Sequence, residues 1–529
     1  MDPGSNPGPN PQDWIAHDPD PRTAAELAAC DPQELAARFA HPLRFGTAGL
    51  RGQVRGGPDA MNVATVLRAS WALARVLDGP GMVVVGRDAR HGSAEFARVA
   101  AEAIAAQGFA VLLFPEPVPT PVVAFAVRTA GATAGVQITA SHNPAADNGY
   151  KVYLDGGVQI VSPTDRRIEA AIAQAPPADE GPRRHVDPAR TDLVERYIDR
   201  AAGVRRGTGS IRVALTAMHG VGGEVAVRTL RRAGFDRVHT VATQFAPDPD
   251  FPTVAFPNPE EPGATDALLA LAADVGADVA IALDPDADRC AVGIPGRDGW
   301  RMLSGDETGW LLGDYILSQP SAGPRTVAST LVSSRMLAAI AAHRGAVHVE
   351  TRTGFKWLAR ADTDAPGTLV YAYEEAIGHC VDPSAVRDKD GISAAVLACD
   401  LVATLQQQGR CVQDALDDLA RRHGVHDVAA VPHRVADIAE ARALMQRLRA
   451  APPERLAGFG AALTDIGDAL VFTGGDQGAS IRLVVRPSGT EPKLKCYCEV
   501  RCPPGADPAP ARRRARDLRD RLVTEIRQW

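Results

Sequence analysis

Three short stretches combine residues whose types and spacing fit phosphoryl chemistry. Asp284-Pro285-Asp286-Ala287-Asp288-Arg289 follows the apolar run Val279–Leu283. In an extended chain alternate side chains point to one side, so this spacing predicts three carboxylates converging at a strand end. They repel one another unless a cation lies between them. Such an all-oxygen set suits Mg²⁺, which keeps positions for substrate phosphate. An EF-hand is excluded, because Arg289 and Pro295 stand where its loop needs Gly and Glu. An acidic turn without metal is the plain alternative.

Arg486-Pro487-Ser488-Gly489-Thr490 follows a second apolar run, at 481–485. Arg, two hydroxyls and the backbone around a glycine form a set of donors suited to a phosphate dianion. An ordinary Ser-Gly hairpin reads the same way. No Walker A pattern occurs, which argues against a P-loop nucleotide site. The third stretch is TASHNP, at 139–144, followed by Asp147-Asn148-Gly149-Tyr150-Lys151. Ser141 either caps a turn or is held up to react. It lacks the G-x-S-x-G elbow of hydrolases, and a bare serine needs a base or a metal to be nucleophilic.

Weaker signals accompany these. FGTAGLRG, at 45–52, is a Gly-rich loop that includes Arg51. Glu374 and Glu375 follow two tyrosines in YAYEEAIGH; paired carboxylates can receive hydroxyls, do acid–base work, or start a helix. Arg387-Asp388-Lys389-Asp390-Gly391 reads as a charged turn.

The elements around these stretches alternate. Apolar runs at 82–85, 211–215 and 326–328 each lead through a loop into an alanine-rich helical segment. Strand, loop and helix in that order predict α/β domains. At roughly 150 residues per domain, 529 residues give three or four. Linker-like stretches place boundaries near 205 and 320, and the loss of the strand–helix rhythm over 424–435 places a third near 426. The divisions are an N-terminal extension at 1–40, partly disordered on its Pro, Gly and Asn content, then 41–205, 206–320, 321–426 and 427–529. The last ends in an amphipathic helix with Leu518, Leu522, Val523 and Ile526 on one face.

Composition narrows the functional classes. A net charge of −7 argues against non-specific nucleic-acid binding. No apolar run reaches the roughly 18 residues of a membrane span, and no secretory signal opens the chain. Eight cysteines without C-x-x-C spacing suit reduced thiols in the cytoplasm.

Taken in order, FGTAGLRG, TASHNP with DNGYK, DPDADR, EEAIGH and RPSGTEPK resemble the α-D-phosphohexomutase superfamily, from about residue 40 to the end. DPDADR, TGFKW and EEAIGH place the resemblance nearest its phosphoglucomutase/phosphopentomutase branch. The resemblance implies three related α/β domains with mixed sheets and a smaller α+β C-terminal domain around a central cleft. It implies a phosphoserine at Ser141, with Mg²⁺ held by Ser141, Asp284, Asp286 and Asp288. Arg51, His142, Lys151 and Arg289 would surround the transferring group. Thr353, Gly354, Glu375 and Lys389 would meet the sugar, and Arg486, Ser488, Gly489 and Thr490 its non-reacting phosphate. The implied reaction interconverts sugar 1- and 6-phosphates, glucose first, with mannose or pentose as alternatives. A sugar 1,6-bisphosphate would be intermediate and activator, and the chain a monomer or homodimer. One departure stands out: Ile377 replaces the serine of the G-E-x-S-G-H loop of many bacterial phosphomannomutases, and Glu374 its first glycine. The rival is an Asp-nucleophile phosphatase with Asp284 as nucleophile, which leaves TASHNP and RPSGTEPK without work.

Overall fold

Three short N-terminal helices each begin at a proline that follows an Asn or Asp. The computed structural model, which describes residues 9–45, 49–488 and 493–529, opens with Pro11–Ala16, Pro21–Ala28 and Pro32–Ala40. Asn10, Asp20 and Asp31 cap these helices through side-chain oxygens. The proline takes a first-turn position whose N–H would lack a partner anyway. The expected disordered lead-in is thus corrected in part. Residues 1–8 lie outside the described residues, but helix starts at Pro11. Proline content misleads here because proline at the first helical position favours the helix.

The chain divides into two compact units. The first holds the described residues through Thr308, with Gly354–Arg360 and Val370–Gln407. Its first sheet runs in the order Leu50–Gln53, Asp147–Leu154, Ala134–Ile138, Met82–Arg87, Ala110–Leu113, with Val158–Gln159 beside Asp147–Leu154. Met82–Arg87 is parallel to both neighbours, and Asp147–Leu154 is antiparallel to all of its partners. Val83, Val85, Val136 and Ile138 pack against Val66, Leu73, Val99 and Ile104 of the helices Val63–Val76 and Ser93–Ala106.

The second sheet repeats this plan. Its order is Gly299–Met302, Cys290–Gly296, Val279–Leu283, Arg212–Thr216, Arg237–Thr240. Val279–Leu283 is parallel to Arg212–Thr216 and antiparallel to Cys290–Gly296. In both sheets the parallel strands are reached through helices, and a tight turn then reverses the chain. A short turn can join only antiparallel neighbours, so TASHNP and DPDAD occupy equivalent places. The hairpin pairing Ala372 with Cys380 and Glu374 with Gly378 puts Glu375 in a turn of the same kind. The helix-start alternative for this acidic pair is therefore not realised.

The second unit comprises Gly309–Thr353, Ala361–Leu369 and Gln408–Trp529. Parallel strands Arg325–Thr330 and Val347–Thr351 flank the helix Met336–His343 in sequence. An antiparallel sheet runs Val425–Arg434, Lys493–Cys502, Ser480–Pro487, Leu470–Gly475, Ala462–Asp465. The final helix, Ala509–Ile526, buries Leu518, Leu522 and Ile526 in this domain's core, with Val523 partly buried beside them, as the periodicity predicts. Glu499 is buried and accepts from Ser334 Oγ (2.7 Å), Arg335 N–H (2.9 Å) and Arg335 Nε (2.8 Å), and it pairs with His426 Nδ1 (2.7 Å). All eight cysteines are free. No helix among the described residues is long and apolar enough to cross a membrane.

Candidate active site

The turn after Ala134–Ile138 holds Ser141 in the left-handed region, at φ 55°. A non-glycine residue there is uncommon and needs support. Thr139 Oγ1 accepts from the Ser141 N–H at 2.9 Å. Ser141 Oγ donates to Asp284 Oδ2 at 3.0 Å and lies 3.3 Å from His142 Nδ1. Two sequence motifs 143 residues apart therefore meet at one hydrogen bond.

The DPDAD segment departs from the expected extended alternation. Ala287 has φ 56°, and its N–H bonds to Asp284 O at 2.9 Å, so the chain curls. The carboxylates converge because the loop turns back on itself. Neighbouring backbone clasps that loop. Val221 N–H donates to Pro285 O (2.8 Å) and Gly391 N–H to Ala287 O (3.1 Å). A Cβ on Gly220 would stand 2.3 Å from Pro285 Cα, and one on Gly391 would stand 2.3 Å from Arg289 O. Only glycine permits so close an approach.

Asp284, Asp286 and Asp288 are fully buried, with one oxygen from each within 4.8 Å of the others. Lys151, on the strand Asp147–Leu154, puts Nζ 2.6 Å from Asp286 and 2.9 Å from Asp288. Lys389 Nζ is 3.1 Å from Asp288, and Arg289 Nε lies 3.9 Å and 3.8 Å from Asp284 and Asp288. Thr120 Oγ1 donates to Asp286 at 2.6 Å. Burial, followed by the charges of Asp286 and Asp288, pushes the Asp284 carboxyl well up. Burial pushes the other two the same way, but Lys151 outweighs it at both, helped by Lys389 and Arg289 at Asp288. Both end below the ordinary value. Asp286 Oδ1 and Asp288 Oδ1 are buried without a hydrogen-bond partner. Buried acceptors are rarely left so. An all-carboxylate cluster with free oxygens fits a hard divalent cation.

The other expected residues fall into two groups. Arg51, on Leu50–Gln53, reaches Asn143 Oδ1 at 3.4 Å. Arg289 Nη1 donates to Ala376 O at 3.1 Å, and Nη2 lies 3.8 Å from Glu374, so the Glu375 turn abuts the carboxylate cluster. That turn rests on Gly305, where a Cβ would meet Glu375 O at 1.9 Å. Gly354 precedes the one-turn helix Phe355–Leu358, and the Phe355 ring lies 5.6 Å from Lys389 Nζ. Burial, then Arg289 and Arg51, holds the His142 imidazole well below its ordinary pKa. In the second unit Arg486 donates to Thr353 Oγ1, and Ser488 N–H to Lys493 O at 2.9 Å. Gly489 and Thr490 lie outside the described residues. Arg90, Thr120 and Gly220 entered no expectation. The one available signal was Asp88-Ala89-Arg90, a charged pair directly after an apolar strand.

Sequence-family profiles cover most of the chain. Residues 42–178, 195–296 and 304–423 match phosphoglucomutase/phosphomannomutase alpha/beta/alpha domains I, II and III, and 429–506 match the C-terminal domain of the same family. The chain belongs to the phosphoglucomutase/phosphomannomutase family. It is thereby a member of the α-D-phosphohexomutase superfamily and an enzyme, an isomerase that transfers a phosphoryl group. The chain is 42% identical to a Haemophilus influenzae protein named "Probable phosphomannomutase", over 86% of this chain and 95% of that one. Mouse phosphopentomutase is 34% identical, over 94% and 90%. Staphylococcus aureus phosphoglucomutase is 30% identical, over 88% and 91%. A Burkholderia thailandensis phosphoglucomutase/phosphomannomutase family structure shares the fold with TM-score 0.68 at 21% identity, covering 90% of this chain and 97% of that one. Within the family, three α/β domains and a separate C-terminal domain account for the sheets described above.

Proposed function

We propose that this chain interconverts a sugar 1-phosphate and the same sugar phosphorylated at its terminal carbon, through a phosphoserine at Ser141 and a sugar bisphosphate. One observation carries the reading: Ser141 Oγ bonds to Asp284 beside two buried carboxylate oxygens that lack a hydrogen-bond partner. Ser141, Asp284, Asp286 and Asp288 are the residues that would hold Mg²⁺, and Mg²⁺ bound there supplies neutralising charge to the phosphoryl oxygens. Lys151, Lys389 and Arg289 offset the three carboxylates, and a divalent cation offsets a phosphoryl group of about two negative charges.

The chain's own groups then divide the work. Ser141 gives its phosphoryl to a sugar hydroxyl and takes one back from the other end of the bisphosphate. Arg289, Arg51 and the Lys151 ammonium stabilise the charge in transit. Lys151 is committed to Asp286 and Asp288, so His142, whose Nδ1 faces Ser141 Oγ, is the group that takes the proton of the attacking sugar hydroxyl and returns it to the Ser141 oxygen as its bond to phosphorus breaks. Glu375, Thr353, Gly354 and Lys389 receive the sugar, and Arg486, Ser488, Gly489 and Thr490 hold the phosphate that does not react. A sugar 1,6-bisphosphate activates the enzyme by loading Ser141. Glucose 1-phosphate is the first substrate to test. Mannose 1-phosphate and a pentose 1-phosphate are the alternatives, supported by the matches to the Haemophilus influenzae protein and to mouse phosphopentomutase respectively.

Radiolabelled glucose 1,6-bisphosphate tests this reading. Label is expected on Ser141, stable to hydroxylamine. An acyl phosphate on Asp284, cleaved by hydroxylamine, would replace the mutase reading with the phosphatase one.

A further inference from the structure

We propose that Arg90 is the positioning residue of the Ser141 loop. This inference rests on the reading of Ser141 as the phosphoryl carrier. Arg90 follows the strand Met82–Arg87 and is buried, with 4% of its surface exposed. Its Nη2 donates to Ser141 O and to Asn143 O, each at 2.6 Å. Its Nη1 donates to Pro144 O at 2.7 Å and Asp147 O at 3.1 Å. The four N–H bonds of the two terminal nitrogens are all spent on carbonyls of one turn. Nε faces Asp88 Oδ2 at 3.3 Å, and the Phe251 ring centroid lies 4.9 Å from the guanidinium carbon. An aromatic ring against the flat cation covers its face and leaves its donors to act in the plane. Asp88 is fixed in turn by the Arg90 N–H (2.9 Å) and Ser93 Oγ (2.6 Å).

The consequence falls on Ser141. Its carbonyl is held by Arg90 and its N–H by Thr139 Oγ1, so both peptide groups beside the left-handed residue are pinned. The one freedom left is the side-chain rotation that swings Oγ. A lysine presents three donors from a single point and cannot span carbonyls from Ser141 to Asp147. Arg90 hydrogen-bonds neither Oγ nor the carboxylate cluster; its charge is felt by Asp284 and Asp286, and its placement of Ser141 passes through the loop.

The test uses the full chain carrying Arg90→Lys and Arg90→Ala, with kcat, KM, labelling of Ser141 by glucose 1,6-bisphosphate, and the thermal midpoint measured together. Misplacing a reacting atom by about 1 Å costs about 10²-fold, so Arg90→Lys is expected to lose about 10²-fold in kcat with KM within about threefold of wild type. Added guanidinium ion at non-denaturing concentration is expected to restore Arg90→Ala by about tenfold, a response that simple loss of stability would not give. A kcat for Arg90→Lys within about threefold of wild type overturns the inference, as does a folded Arg90→Ala that guanidinium leaves unchanged. If Arg90→Ala does not fold, Arg90→Lys decides. Wild-type enzyme that takes no label at Ser141 overturns the phosphoserine reading, and this inference falls with it. Labelled wild type beside an equally active Arg90→Lys overturns this inference alone.

Discussion

Glu499 in the second unit and Asp286 with Asp288 in the first are carboxylates withdrawn from water, yet their oxygens are treated differently. Glu499 takes bonds from Ser334, from Arg335 twice and from the His426 ring, and neither oxygen is left over. Asp286 and Asp288 each keep one buried oxygen without a hydrogen-bond partner, although two lysines stand nearby. An unmet buried acceptor costs roughly 1–3 kcal/mol, more when charged. A cluster that is fully satisfied serves the fold. One that leaves oxygens open beside a serine hydroxyl fits a cation that would complete it.

This contrast can be broken or sharpened by substitution. The largest effect belongs to Ser141→Ala, expected to lower mutase turnover by about 10⁴-fold or more while the protein still unfolds cooperatively. Turnover by that variant near the wild-type rate would remove Ser141 from the chemistry. Asp286→Asn is expected to cost about 10²- to 10³-fold in kcat. It should also abolish the rise in thermal midpoint that Mg²⁺ gives the wild type, and an unchanged Mg²⁺ titration would take Asp286 out of the metal set.

Glu499→Gln is expected to do the reverse. It should destabilise the protein by about 3 kcal/mol in chemical denaturation, with kcat little changed, because it breaks a buried pair and touches no reacting group. A stable variant with poor turnover would put Glu499 in the function instead. The smallest effect is one of pH. The Glu499 carboxyl is pushed up by burial, but His426, Arg335 and Ser334 outweigh that and hold it well below its ordinary value of 4.5. Its stabilisation is therefore complete above the unfolded value and is lost as pH falls towards the folded one. Thermal midpoints of wild type and Glu499→Gln should differ most at pH 7 and draw together below pH 4.5. A gap that persists at pH 3 on the order measured at neutrality would contradict this.

Much of the candidate site's convergence was legible in the chain because its polar groups lie in short, unusual strings. TASHNP and DPDADR each follow an apolar run, and each turned out to be the turn that reverses a strand. The geometric reason given for the aspartates was wrong: alternation along a strand was expected, and a curl through left-handed Ala287 does the work. What stayed hidden was support. Arg90 lies 51 residues from Ser141, Thr120 lies 166 from Asp286, and Gly391 is about as far from the loop it crowds as a whole domain is long. Nothing local distinguishes such residues, because their meaning is a contact made only after folding. The N-terminal helices were missed for the opposite reason: a local rule about proline was applied without its position.

The left-handed backbone at Ser141 also bears on how a knockout of this enzyme should be built. A side chain in that region costs on the order of 1–2 kcal/mol, a strain that glycine does not feel. Ser141→Ala keeps that strain, whereas Ser141→Gly releases it while removing the hydroxyl equally well. The pair separates loss of the hydroxyl from relief of the backbone. If the glycine variant is inactive yet melts higher than the alanine one, the difference measures what the protein forgoes in stability to hold a hydroxyl at that corner.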